Sequence, residues 1–145
     1  MRHGNRGFFR RAWSETEGAS AIEFAIVAPV FFMLVFGIIV YGYYFAALSM
    51  LNHVAYEAAR ATVTGLSDDE RSTLAHARAD ELISGLGGFI DADAVEVNAA
   101  TGGDGIYAVT VHYQFNALSL IGASSLVPLP PMEQTIRVEM SHGGY

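Results

Sequence analysis

The dominant pattern along the chain is one long apolar stretch near its N-terminal end. No side chain between Phe24 and Asn52 is charged, and a helix of about 29 residues is roughly 43 Å long at 1.5 Å per residue. The apolar core of a bilayer is about 30 Å thick, whereas a secretory signal peptide has an apolar region of only about 7–15 residues. The pattern therefore predicts a retained, single-pass transmembrane helix with its span at about residues 23–45, surrounded by bilayer lipid.

The helical pattern continues past this span. No helix breaker occurs before Gly65, which predicts one long helix over residues 19–64. The spacing of Leu51, Ala55, Ala58 and Thr62 predicts a face that packs on the following domain. Pro29 lies inside the span, where it is compatible either with a mild bend or with a locally opened segment used during assembly.

A second helix is predicted at the start of an exterior domain, residues 65–145. Ser67 and Glu70 have the spacing of a capping box, in which each side chain accepts a hydrogen bond from a free amide at the helix start. The helix should run to about Leu86. Its predicted apolar stripe consists of Ala75, Ala79, Leu82 and Leu86.

The apolar period then changes from that of a helix to that of a strand. Residues 94–99, 106–115 and 136–140 alternate between apolar and polar side chains, which predicts three strands. A glycine-rich turn, residues 101–105, joins the first two, and a long connection, residues 116–131, precedes the third. The predicted fold class is α+β: the long N-terminal helix leads into a domain with a second helix and a three-stranded antiparallel sheet.

Charge is distributed unequally about the span. The net charge is −7. Four of the eight basic residues precede the span: Arg2, Arg6, Arg10 and Arg11. Only Arg60 follows it closely, so the N-terminus is predicted to be cytoplasmic and the C-terminal domain to lie outside. The acidic exterior argues against nucleic acid as a partner, and the absence of cysteine excludes disulfides and thiolate metal sites.

The sequence lacks a specific catalytic or metal-binding pattern. His76 and Asp80 would share a helix face, but no further ligand is evident for the three or four that a metal site needs. Asp91, Asp93 and Glu96 lack the remaining features of a calcium loop. We therefore predict no catalytic residue, no cofactor and no metal.

Two further stretches are candidates for enzyme chemistry. Ser124 and Ser125 lack the glycine-flanked elbow of a nucleophilic serine. The glycine-rich turn at residues 102–105 has no lysine to make a phosphate loop, since the chain contains none. The prediction is that this chain is not an enzyme, and an exported hydrolase with a membrane anchor would need a catalytic set that these residues do not supply.

Gly18, Ala19 and Glu23 form the most informative motif. A carboxylate on the last turn before hydrocarbon is costly unless it is paired, which makes Glu23 a candidate functional group. The alternative is an interfacial glutamate whose side chain reaches back to water. The residue types alone leave both interpretations open.

Four short stretches between Gly18 and Arg60 belong together: GASAIEFA from Gly18, Ala28-Pro29, FGII from Phe36 and YEAAR ending at Arg60. With these stretches the segment resembles the TadE-like family, the minor pseudopilins of the tight-adherence (Tad, Flp-type) pilus and secretion machinery. The resemblance to type IV prepilins implies that a prepilin peptidase removes residues 1–18 as a cytoplasmic leader by cutting between Gly18 and Ala19. Glu23 is then the fifth residue of the mature chain.

The resemblance also implies a location and partners. These are the bacterial inner membrane, the prepilin peptidase, other pilins and pseudopilins, and the Tad inner-membrane platform proteins. Phe24 stands where the major pilins carry tyrosine, and those pilins are much shorter, which points to a minor component. The alternative is an uncleaved, membrane-anchored protein whose exterior domain binds a partner of the cell envelope.

Overall fold

The computed structural model describes residues 6–103, 105–115 and 128–141, and of residues 6–17 it describes the backbone alone. The elements are α1 (Arg6–Ala61), α2 (Asp68–Gly85), β1 (Val95–Gly103), β2 (Ile106–Gln114) and β3 (Glu133–Ser141), with 3-10 turns at Thr62–Thr64 and Ala92–Ala94. This is the α+β fold that the sequence predicts. We call the part from Gly65 onward the head.

Helix α1 is longer at its N-terminal end than the sequence analysis predicts. The helix begins at Arg6 rather than near Ala19. Extending an existing helix costs far less than nucleating a new one, and the arginine, alanine and glutamate residues before the span have good helix propensity. The helix is also unbroken at Pro29, so the span contains no opened segment in this structure.

The end of α1 agrees with the expected stop at Gly65. The α-helix ends at Ala61, and the 3-10 turn closes with a hydrogen bond from the Gly65 amide to the Thr62 carbonyl, 3.1 Å. Only glycine fits at position 65 without a steric clash, because a Cβ there would lie 2.5 Å from the Arg71 side chain. The Arg71 Nε donates to the Gly65 carbonyl, 3.1 Å, which holds the turn against α2.

The cap of α2 forms at the predicted serine. The Glu70 amide donates to Ser67 Oγ, 3.2 Å. The Glu70 carboxylate accepts from the Leu66 amide, 2.9 Å, one residue before the position a standard capping box uses. Both bonds satisfy amides near the helix start, and the prediction of this N-terminus is confirmed.

The sheet is antiparallel with strand order β1-β2-β3. Its covered face packs against both helices, α2 over β1 and α1 over β2 and β3. The central strand and the residue after it supply five buried side chains to this face: Tyr107, Val109, Val111, Tyr113 and Phe115. The opposite face carries mainly polar side chains, including His112 beside Thr135.

Two connections differ from prediction or lie outside the described residues. Residues 101–103 belong to β1, in which Thr101 and Gly103 pair with β2 on either side of an irregularity at Gly102, so the first turn is shorter than residues 101–105. Gly105 has a φ of +75°, which glycine adopts without the Cβ penalty. Most of the long connection, residues 116–127, lies outside the described part of the chain.

Candidate functional site

The junction between Gly18 and Ala19 lies within continuous helix. Gly18 is exposed, and a Cβ added there would meet no atom within 4 Å. The backbone at the predicted processing site is therefore helical and accessible from the side.

Glu23 is exposed one helical turn beyond Ala19, which corresponds to about 6 Å along the helix axis. Among the side chains that the structure describes, none forms an ion pair or hydrogen bond with it. Water, lipid headgroups, the chain terminus created by processing and other molecules are all available as partners for this carboxylate.

A continuous apolar surface follows Glu23 on α1. Between Ile22 and Ile39 most large side chains are more than half exposed, for example Phe24 at 70% and Ile38 at 66%. Within the described residues, one helix segment, Gly18–Thr64, is long and apolar enough to cross a membrane. The low burial of this surface fits a helix whose neighbours would be lipid or other helices.

Among the described residues, contact between α1 and the head begins at Val40. This side chain is only 4% exposed and packs against Leu129. One residue later, the Tyr41 hydroxyl donates to the Pro128 carbonyl, 3.1 Å. Tyr44 then packs against Phe115, with the two tilted rings 5.0 Å apart between centroids. Helix α1 thus has two halves, an exposed one that ends at Ile39 and a packed one that begins at Val40.

The packed half of α1 forms the main wall of the head's core. The predicted face is confirmed, because Leu51, Ala55, Ala58 and Thr62 have no exposed surface. Near the C-terminal end of α1, small side chains let α2 approach α1 closely, because Ala58 and Ala59 pack against Ala75 and Ala79.

An ion-pair network bridges the two helices beside this alanine contact. The Arg78 guanidinium donates to Glu81 Oε2 at 2.8 Å and to Glu57 Oε2 at 3.3 Å. The hydrogen bond and charge of Glu81, followed by those of Glu57, raise the pKa of Arg78. The network ties α2 to the packed half of α1 and has no catalytic geometry.

A cavity of about 460 Å³ opens at the end of the head nearest the exposed half of α1. Aromatic side chains dominate its lining, with Tyr43, Phe89, Tyr113 and Phe115 beside Asp91. Burial raises the pKa of the Tyr113 hydroxyl, and a backbone hydrogen bond at Asp91 partly offsets the effect. The remaining lining is mostly apolar or backbone, with Ser84 and Asp91 as its hydroxyl and carboxylate, so we describe it as an aromatic, weakly acidic recess.

The structure places the histidine and carboxylate candidates on α2 and in the turn before β1. His76 and Asp80 lie on α2, and no group of three metal-ligating side chains occurs among the described residues. Asp91 accepts from the Asp93 amide, 3.2 Å, and caps a 3-10 turn. Ser124 and Ser125 lie outside the described residues.

Helix α1 contains the part of the chain that matches a known protein family. A family model described as TadE-like protein matches residues 18–60. Residues 18–60 form a TadE-like segment. It begins at Gly18, contains Glu23 and the exposed half of α1, and ends one residue before the α-helix does. The predicted resemblance is confirmed, and the segment indicates a component associated with the Tad pilus.

The head lies outside the TadE-like segment. No curated protein and no solved structure matches the chain. The aromatic recess is the feature that sequence reasoning missed. Its lining residues come from α1, the end of α2 with the loop after it, and the end of β2, and no local sequence spacing brings them together.

Proposed function

We propose that this chain is a minor pseudopilin of a Tad (Flp-type) pilus and secretion machinery, an assembly component without enzymatic activity. The observation that carries the proposal is the TadE-like segment, which coincides with an exposed apolar helix surface headed by Glu23. A helix of this kind is suited to pack against lipid before assembly and against other pilin helices afterwards.

The two halves of α1 suggest where the membrane lies. The head carries polar loops, which are excluded from hydrocarbon, so the outer limit of the bilayer core should be near Ile39. A helix from Ala19 to Ile39 spans about 31 Å, close to the thickness of the apolar core. The proposed span is therefore residues 19–39, several residues closer to the N-terminus than hydropathy alone suggests.

If the span is residues 19–39, Glu23 lies about 6 Å inside the cytoplasmic boundary of the hydrocarbon core. An acidic side chain at the centre of a bilayer costs about 2.5–3.5 kcal/mol, and the cost falls toward the interface. An exposed carboxylate at this depth is stabilised when a cation pairs with it. The depth thus favours a paired, functional Glu23 over a glutamate that is merely interfacial.

Processing would create such a cation. We propose that a prepilin peptidase cuts between Gly18 and Ala19 on the cytoplasmic side of the inner membrane, with the head outside. The new ammonium of Ala19 then lies one turn from Glu23 of the same chain and can pair with it or with Glu23 of a neighbouring subunit. In a medium of low dielectric constant, this pairing favours one register between adjacent helices.

The proposed partners follow from this geometry. Other pilins or pseudopilins would pack against the exposed half of α1, and Tad inner-membrane platform proteins would receive the subunit during assembly. The head, packed on the second half of α1, would project away from the membrane.

The test is pilus assembly in a strain that lacks this chain, complemented with variants of it. Glu23→Gln preserves the size of the side chain and removes its charge, so we expect normal membrane levels of the protein but loss of its incorporation. Ser20→Ala, also exposed and one residue after Ala19, is the control and should complement fully. Assembly and incorporation at the unmodified level with Glu23→Gln would count against the proposed role of the carboxylate.

The alternative is an uncleaved membrane-anchored protein whose head binds a partner in the envelope. The observation in its favour is the sharp division of α1, because most large side chains of residues 22–39 are exposed and make little contact with the described part of the head. On this alternative, exchanging residues 19–39 for an unrelated apolar helix preserves function. The exchange must stop before Val40, since that side chain and those after it belong to the core of the head.

A further inference from the structure

The loop that follows α2 carries an exposed aromatic side chain on a tight reversal. Gly87 and Gly88 have φ values of +60° and +82°. Glycine adopts positive φ values at two successive positions readily, whereas residues with a Cβ do not. The Phe89 amide donates to the Leu86 carbonyl, 3.2 Å, which closes the reversal. The Phe89 ring that follows is 37% exposed. We call residues 86–90 the glycine loop.

The glycine loop is fastened to α1 close to the point where the exposed half ends. The Tyr43 hydroxyl donates to the Phe89 carbonyl, 3.0 Å, and the two ring centroids are 5.0 Å apart. Tyr43 lies four residues beyond Ile39, or about 6 Å along the helix axis. The headgroup region on each side of a bilayer is about 5–8 Å deep, as the difference between total and apolar thickness shows.

Phe89 is therefore at the depth of the headgroup region if α1 spans the bilayer. Tyrosine and other aromatic rings with one polar edge are favoured at this depth, and Tyr41 and Tyr43 supply them on α1 itself. The glycine loop adds a ring that belongs to the head and lies beside the helix rather than on it.

The charged residues near the glycine loop indicate whether its contact with lipid depends on the charge of the headgroups. Asp91 and Asp93 follow the loop and are exposed, and Asp91 lines the same recess as Phe89. Carboxylates do not attract anionic lipids. The contact is thus apolar and aromatic, and it does not depend on acidic headgroups.

We propose that the glycine loop is a second membrane contact, in which the Phe89 ring inserts into the headgroup region of the leaflet through which α1 leaves the bilayer. The partner is a phospholipid surface. The glycine loop and α1 together give the head two points of attachment to the membrane. These two points restrict the tilt of the head and its rotation about the helix axis. The inference depends on α1 spanning a bilayer and not on the pilus role, so either can fail alone.

The experiment uses the full chain in phosphatidylcholine vesicles. Trp13→Phe removes the one natural tryptophan, and Phe89→Trp then places a reporter in the glycine loop. Tyr56→Trp is the matched control, because Tyr56 is 55% exposed on α1 and about 20 Å farther along the helix axis than Tyr43. Lipids brominated near the top of their acyl chains should quench the loop reporter at least twofold more than the control reporter, and aqueous iodide should quench the control reporter more.

Equal iodide quenching of the two reporters, with no effect of brominated lipid on the one in the loop, overturns the proposal. The chain has no cysteine, so Phe89→Cys and Tyr56→Cys with a polarity-sensitive fluorophore give a second reading if tryptophan distorts the loop. A blue-shifted emission from the loop position alone supports insertion, and the same water-like emission at both positions contradicts it. Vesicles with added anionic lipid should leave the difference between the two positions unchanged.

Discussion

Leu51→Ala tests whether the packed half of α1 is part of the head's core. Leu51 has no exposed surface and belongs to a cluster with Tyr44, Ala55 and Val111. Replacing a buried leucine by alanine costs about 3 kcal/mol, within a range of about 2.7–5 kcal/mol, through lost burial and the cavity left behind. For a folded unit of about 100 residues, each kcal/mol changes the melting temperature by about 4–8 °C. We therefore expect a decrease of about 10–25 °C.

Leu66→Ala is the matched control, since Leu66 is 91% exposed and its backbone hydrogen bond to Glu70 does not involve the side chain. Exposed substitutions of this kind change stability by no more than about 0.5 kcal/mol. The assay is thermal unfolding of the full chain in detergent, followed by near-ultraviolet circular dichroism, which reports the packed tyrosines rather than the helix of the span. Equal melting temperatures for the two variants would refute the view that α1 is built into the head.

Three further predictions concern separate parts of the chain. Gly18→Ala should leave the fold intact, since its Cβ meets no atom within 4 Å, and it should block processing in a gel-shift assay of the membrane protein; normal processing contradicts the role of the glycine. Gly88→Ala should destabilise the head by about 1–2 kcal/mol because of its positive φ, whereas Gly85→Ala, in open space at the end of α2, should not; chemical denaturation compares the two. The raised pKa of Tyr113 stabilises the folded state below about pH 10, the approximate pKa of an unfolded tyrosine, and this stabilisation is lost as the pH rises through the folded-state pKa. Melting temperatures between about pH 9 and pH 11 should therefore fall less steeply for Tyr113→Phe, and parallel curves would argue against burial as the cause.

Local patterns were sufficient to predict most of the fold. The capping serine at Ser67 and the period-two strand of residues 106–115 depend on neighbours within a few residues, and both are confirmed. The face of α1 that contacts the head was also readable, because Leu51, Ala55 and Ala58 repeat with the helical period. In each case, one element's own sequence specifies which side is buried.

Features that depend on tertiary contacts could not be predicted in this way. The start of α1 at Arg6 reflects extension from an already formed helix, which an apolar period does not report. The level at which the head meets α1 is set by contacts of Val40 and Tyr41 with residues almost ninety positions away in sequence. The aromatic recess likewise depends on the contact between the glycine loop and Tyr43, and the hydropathy pattern does not predict that contact.

The N-terminus of the native protein tests most directly whether Gly18 and Ala19 form a processing junction ahead of an assembly helix. The measurement is intact mass and N-terminal sequencing of the chain extracted from membranes of cells with and without the prepilin peptidase. We predict a chain that begins at Ala19 when the peptidase is present and at Met1 when it is absent. A chain that begins at Met1 in both strains would contradict the claim and favour the uncleaved, membrane-anchored alternative.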